Sequence, residues 1–198
     1  MDALKVLLER RSIRKYRAVN VSDEVLQEIV EAGLYAPSGL NLQPWYFVVV
    51  RTPEKMTQVR AVMSVVALRF NPILQKQFHD HPEVITETNN FLVTLGGAPA
   101  CVLVYADKPY GAEGRDNVIE SISAAIENMQ LAAWNRGVGS CWIGAPNHVD
   151  CAGLFETGFA AGRGEFVAAL TLGYPAEGAH PAKLHAQREP MEKLVKYL

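Results

Sequence analysis

Leu4, Leu7 and Leu8 recur at helical spacing across residues 2–10, so the chain opens on a helix that runs into the basic pair Arg10-Arg11. Val25, Leu26, Ile29, Val30 and Leu34 then line one face of a second helix, with Ser22 placed to cap it and Asp23 and Glu24 in its first turn. Pro37 disfavours helical geometry in the residue before it and ends that helix. Residues 37–44 cannot be regular structure, and they lead into residues 45–50, a nearly continuous apolar run of the buried-strand type. Thr52-Pro53-Glu54 reads as a cap followed by a first-turn proline and predicts a helix to about residue 70. Residues 71–90 are polar and read as irregular.

A second buried strand is expected over residues 100–105, entered through Pro99. Residues 116–136 form a long helix ended by Gly137, and apolar residues from Val118 to Trp134 surround nearly its whole circumference. Such a helix needs cover on every side, and in a chain of 198 residues a second subunit is the natural source. Residues 140–143 and 166–172 supply further strands and residues 147–155 a short helix. The last 25 residues, rich in Pro, Lys and His, read as an arm. Separated strands among many helices favour an α+β fold, a single domain over residues 1–198 with an arm from about residue 175.

Hydrophobic residues make up 49% and charged residues 20%, enough for a core and against wholesale disorder. The formal charge of -2 provides no long-range field to gather nucleic acid or anionic membrane. No apolar run reaches the roughly 18 residues needed to span a bilayer, and the N-terminus lacks a signal-peptide core. Cys101, Cys141 and Cys151 are odd in number and form no Cys-x-x-Cys pair, which argues against a disulfide framework and a thiolate zinc site and for a cytoplasmic protein. His79-Asp80-His81 reads as solvated, so no metal site is expected.

Any positive site must therefore be local. Residues 10–17 hold five cations within eight positions, readable either as solvated surface or as an anion cradle of arginine forks with the Ser12 hydroxyl. The loop Pro37-Ser38-Gly39-Leu40-Asn41-Leu42-Gln43-Pro44-Trp45 is either a plain helix-to-strand turn or a pocket wall. The glycines of Gly137-Val138-Gly139-Ser140-Cys141-Trp142-Ile143-Gly144 follow a helix, which excludes a dinucleotide fingerprint, and no Walker-type phosphate loop occurs. Cys141 reads as a buried, inert thiol, and Trp45, Trp134 and Trp142 as core or interface residues.

Taken in order with Arg188-Glu189-Pro190-Met191-Glu192, these segments resemble the FMN-dependent nitroreductase family from end to end, residues 60–95 excepted. The resemblance implies a nitroreductase-like three-layer α-β-α sandwich with a mostly antiparallel central sheet. It also implies a homodimer formed through the long apolar helix, with two FMN sites at the seam. It assigns Arg10, Arg11 and Ser12 to the FMN phosphate and ribityl chain and Arg14 to the pyrimidine edge of the flavin. Pro37, Ser38, Gly39 and Asn41 would approach the flavin from the other subunit, Ile143 and Gly144 would face its N5 region, and Arg188 would close on the phosphate. Gly144 departs from members that carry glutamate there, a change that a backbone contact tolerates. Lys183 is a further cation without a match in the motif.

The implied reaction takes electrons from NADH or NADPH and hands them to nitroaromatics, quinones or similar small acceptors in alternating half-reactions. The cofactor carries that chemistry, so no catalytic side chain is expected. The same fold is also compatible with reductive dehalogenation or flavin breakdown. A non-catalytic flavin or RNA binder ranks lower, because the chain is slightly acidic and lacks an aromatic stacking platform.

Overall fold

A computed structural model of the chain describes residues 2–107, 114–179 and 188–198. Its centre is a four-stranded antiparallel sheet of β1 (Trp45–Val50), β2 (Ala100–Ala106), β3 (Gly139–Ile143) and β4 (Glu165–Gly173), in the order β1-β2-β4-β3. The two middle strands are buried apart from Glu165 at the start of β4, yet their side chains still alternate between two cores. Cys101, Leu103 and Tyr105 join one core, while Val102 and Val104 join the other. In β4 that alternation slips once. Val104 pairs with Ala168 and Tyr105 with Phe166, so Val167 is the extra residue of a bulge, and Val167 and Ala168 fall in the same core.

The two cores define the layers. On one face α2 (Asp23–Leu34) and α5 (Arg115–Asn135) pack through Leu26, Ile29, Ile122, Ile126 and Met129. On the other, α3 (Pro53–Gln77), α4 (Pro82–Thr94) and α7 (Ala152–Phe159) contribute Met56, Val59, Met63, Phe91, Leu92 and Phe155. This is the expected three-layer α-β-α sandwich with an antiparallel sheet. The starts follow the sequence signals: Asp2 caps α1 (Ala3–Glu9), Ser22 caps α2 and Thr52 caps α3, each accepting a backbone N–H. Helix α5 ends in a Schellman turn, in which Gly137 at φ 71° lets Val138 N–H reach the Ala133 carbonyl at 2.9 Å.

Two expectations are corrected. Residues 71–90 are not irregular: α3 continues through Pro72 to Gln77, and α4 starts at Pro82. A proline removes one helical hydrogen bond but does not stop a helix whose face is packed, and α3 and α4 bury Leu74, Phe91 and Leu92. The short helix expected over residues 147–155 is two pieces, α6 (Ala145–His148) and α7, parted at Asp150, whose φ of 53° no helix accommodates.

Helix α5 is covered on two sides within the chain. Val118, Ile122, Ala125, Ile126, Met129 and Ala133 are buried, whereas Ile119, Ala124, Leu131 and Trp134 remain half-covered. The final helix, α8 (Met191–Leu194), and the rest of residues 188–198 are exposed. Lys183 and the segment 180–187 lie outside the described residues.

Candidate functional site

The basic segment is not a loose tail. Ser12 forms a parallel bridge with Ser140 on the free edge of β3, and Ile13 N–H donates to the Ser140 carbonyl at 2.8 Å. Tyr16 N–H donates to the Gly96 carbonyl at 2.9 Å, Ala176 N–H to the Lys15 carbonyl at 3.0 Å and Arg17 N–H to the Tyr174 carbonyl at 2.9 Å. Ile13 and Tyr16 are buried, so they fasten the cations between them to the sheet.

Three absent side chains make room for this docking. A Cβ on Gly139 would lie 2.7 Å from Ile13, and one on Gly173 2.9 Å from the Tyr16 ring. A Cβ on Gly96 would run into the Arg14 carbonyl, and Gly96 stands at φ 63° after the left-handed Leu95 at φ 53°.

The four N-terminal candidates fare differently. Arg10 is four-fifths covered, and its Nε lies 3.2 Å from Glu127 Oε1 on α5. That contact lacks hydrogen-bond geometry, so the buried Nε–H of Arg10 has no hydrogen-bond acceptor among the described residues. Arg11 turns back on its own helix, donating to the Leu8 carbonyl at 2.7 Å and the Arg10 carbonyl at 2.8 Å. It caps α1 and would have to swing away to meet any ligand. Arg14 stands 5.9 Å from the Phe91 ring centroid, and its charge acts on the Cys141 thiol. Burial pushes the Cys141 thiol up, and the charges of Arg14 and Arg10 offset this only in part. Cys141 is thus a protonated thiol at neutral pH, as its inert reading requires.

Ile143 and Gly144 lie at the far end of β3 from the Ser140 bridge. Ile143 is buried, Gly144 opens α6, and no atom stands within 4 Å of where a Gly144 Cβ would be. From Ser12, paired with Ser140, to Gly144 is about 13 Å at the rise of a strand. The edge of β3 therefore carries cations at one end and open backbone at the other.

The loop from Pro37 lies elsewhere, on α5. Gly39 N–H donates to Ser121 Oγ at 3.4 Å, Gln43 N–H to Ser38 Oγ at 3.0 Å and Gln43 Nε2 to Asn41 Oδ1 at 3.2 Å. Leu40, Asn41 and Gln43 all hold positive φ, an unusual conformation for residues that carry side chains, and Leu40 is wholly exposed. Within one chain this loop makes no recorded hydrogen bond to residues 10–14, and Pro37 and Arg188 are exposed. A concavity of about 540 Å³ lies between α2 and β1, is lined by residues that include Leu26, Val30, Leu34 and Val49, and includes none of these candidates.

Sequence reading missed Phe91, Glu127, Thr171 and Tyr16 as parts of this surroundings. Phe91 falls in a segment read as irregular, and nothing local pairs Tyr16 with Thr171, 155 positions away. The rings of His79 and His81 are exposed and lie beside Asp80 and Glu83, and no cluster of metal-ligating side chains occurs among the described residues. No helix is long and apolar enough to cross a membrane among those residues.

Comparison with known proteins adds a family. The nitroreductase family model matches residues 7–174. A candidate NADH dehydrogenase/NAD(P)H nitroreductase of Archaeoglobus fulgidus is 33% identical over 143 residues, 72% of this chain and 67% of that protein. The match to a similar protein of Methanothermobacter thermautotrophicus spans 61% of its length. A solved candidate nitroreductase in complex with FMN from Desulfovibrio desulfuricans is 28% identical with a TM-score of 0.70, covering 100% of this chain and 97% of that one. A BluB-like flavoprotein from Clostridium difficile is 27% identical with a TM-score of 0.75, covering 100% and 99%.

Proposed function

The chain belongs to the nitroreductase family, and from that membership we propose that it is an FMN-dependent oxidoreductase passing electrons from NADH or NADPH to nitroaromatics, quinones or similar small acceptors. The proposal takes residues 1–198 as one domain and the working unit as a cytoplasmic homodimer. The observation that carries it is the edge of β3, where Ser12 bridges Ser140 beside Arg10 and Arg14 and the strand runs on to the open backbone at Gly144. The likeness to an FMN complex at 28% identity supports the same reading.

The residues present fit FMN. A phosphate offers the acceptor that the buried Arg10 Nε–H lacks. Ser12 adds a hydroxyl, and Arg11 and Arg188 add cations if they turn inward. When bound, FMN supplies a ring that accepts a hydride from reduced nicotinamide and releases electrons to an acceptor. Arg14 would sit by the pyrimidine edge and place a fixed positive charge where the reduced ring is richest in electrons. Ile143 and Gly144 would border the hydride-accepting edge, where the missing Gly144 side chain leaves room for nicotinamide and acceptor in turn.

Pro37, Ser38, Gly39 and Asn41 are proposed to reach the site of the partner subunit. Their attachment to Ser121 supports this, because it sets the loop on α5, whose half-covered stripe of Ile119, Ala124, Leu131 and Trp134 is the proposed seam. No side chain is assigned as a nucleophile or proton donor.

The test is anaerobic mixing of the purified protein with NADH and with NADPH. Bleaching of a yellow bound flavin by at least one donor is expected. A protein that takes up no FMN, or whose flavin stays oxidised with both, defeats the proposal. The likeness to a BluB-like flavoprotein favours, as a second reading, flavin breakdown on the same fold. Product analysis after turnover with oxygen separates the two, since only breakdown consumes the ring.

A further inference from the structure

We propose that the Tyr16 hydroxyl is a positioning group for the FMN site, clamping the Ile13 carbonyl and thereby holding Arg10 and Arg14, on either side of it, at fixed places on β3. The inference rests on the FMN reading above.

Tyr16 OH donates to the Ile13 carbonyl at 2.5 Å and lies 2.8 Å from Thr171 Oγ1 in the middle of the sheet. The phenol has one proton, and Ile13 takes it. The single Thr171 hydroxyl proton is then available to the Tyr16 oxygen, with the Cys141 carbonyl at 3.3 Å as the alternative acceptor. Ile13 is therefore held from both sides, its N–H by Ser140 and its carbonyl by Tyr16. Burial pushes the Tyr16 phenol far above its ordinary range, so it remains a donor wherever the protein is folded.

This bond concerns more than stability. The guanidinium of Arg14 stands over Phe91 and that of Arg10 lies by Glu127, so each cation starts within three residues of Ile13 and ends on a different helix. A fork that must meet a planar or tetrahedral anion is useful only if its origin is fixed to a fraction of an ångström. The slot at Gly139 seats the Ile13 side chain, while the hydroxyl holds the Ile13 carbonyl. Without it, the Ile13 carbonyl is a buried acceptor seeking a new partner, and the backbone between the two arginines is free to shift.

The chain contains its own control. Tyr105 is also buried, and its hydroxyl also donates to a backbone carbonyl, that of Phe155 at 3.1 Å, away from the basic segment. Tyr16→Phe and Tyr105→Phe each remove one buried hydroxyl and should each lower the thermal midpoint. Titration of apoprotein with FMN should show Tyr16→Phe binding about tenfold more weakly, the equivalent of one lost buried hydrogen bond, and Tyr105→Phe within about twofold of wild type. The midpoint potential of FMN bound to Tyr16→Phe should fall, because Arg14 would favour the reduced form less.

Equal changes in FMN affinity for the two variants, or wild-type affinity and potential in Tyr16→Phe, overturn the proposal. If Tyr16→Phe does not fold, Thr171→Val removes only the second partner and should weaken FMN in the same direction. Unaltered binding there counts against the clamp. Wild-type protein that takes up no FMN sinks the functional reading itself, a result distinct from either.

Discussion

A Cβ placed on Gly139 would stand 2.7 Å from Cγ1 of Ile13, so the basic segment lies flush on β3 because residue 139 has no side chain. Gly139→Ala should cost about 1–3 kcal/mol, the usual cost of overpacking a closed core. Thermal unfolding measures that loss, and flavin content after purification should drop with it. A fully stable, fully flavinated Gly139→Ala protein would mean that the segment docks some other way.

Arg10→Ala should loosen FMN far more than it loosens the fold. The lost charge-assisted bonds predict roughly a 10- to 100-fold weaker FMN affinity. The thermal midpoint should change little, since among the described residues the guanidinium pairs with the half-exposed Glu127. Arg188→Ala should act in the same direction. Unchanged flavin occupancy in both variants would remove them from the site.

Alkali should weaken the protein from about pH 9 upward. Cys101 is wholly buried, and desolvation pushes its thiol up to about 12 from an ordinary 9.0. Between those values the unfolded chain has lost the proton and the native chain keeps it. Stability is thus intact below pH 9 and falls as pH rises, by up to about 1.4 kcal/mol per pH unit for one such group. Cys141 adds to the slope, and Tyr16 and Tyr105, also pushed up by burial, join above pH 10. Denaturant melts from pH 7 to 11 should show the decline, and Cys101→Ala should make it shallower between pH 9 and 10. A flat profile would contradict it.

Pro72 interrupts the bonding of α3 without ending it. Pro72→Ala restores one helical N–H at an exposed position and should stabilise the protein by about 1–2 kcal/mol, the gain in the helix less the added freedom of the unfolded chain. A rise in thermal midpoint checks this; a fall would show that the proline sets a bend on which the packing of α3 against α4 depends.

The half-covered stripe on α5 gives the proposed dimer its own test. Wild-type protein should sediment as a dimer, and Leu131→Arg should shift it towards monomer and release FMN, because charge on a closely packed seam is poorly tolerated. Monomeric wild type that retains flavin would separate the site from the seam.

Periodicity alone placed α2, all four strands and α5, since each buries one face or both and its residues say so directly: Leu26 and Ile29 recur at helical spacing, and β2 is apolar throughout. It placed α1 as well, although the Leu4, Leu7 and Leu8 that marked it are exposed and Val6 is the residue it buries. It failed between residues 71 and 90, where Pro72 and a run of polar residues conceal the end of α3 and the start of α4, which are stabilised by each other. The arginines, the serine and the glycines of the candidate site were visible as residue types. Which of them face a ligand was not: Arg11 folds back onto the Leu8 carbonyl, while Arg10 is left with a buried, unmatched N–H.

What the residues determined by themselves were the elements, their burial and the local concentration of cations, because these depend on neighbours within a few positions. The meeting of Tyr16 with Thr171, of Ile13 with Gly139 and of Arg14 with Phe91 joins positions 77 to 155 residues apart. Such contacts carry no periodic signature. They exist only once the sheet has brought β3 and β4 together and the chain's first cations have been laid along its edge.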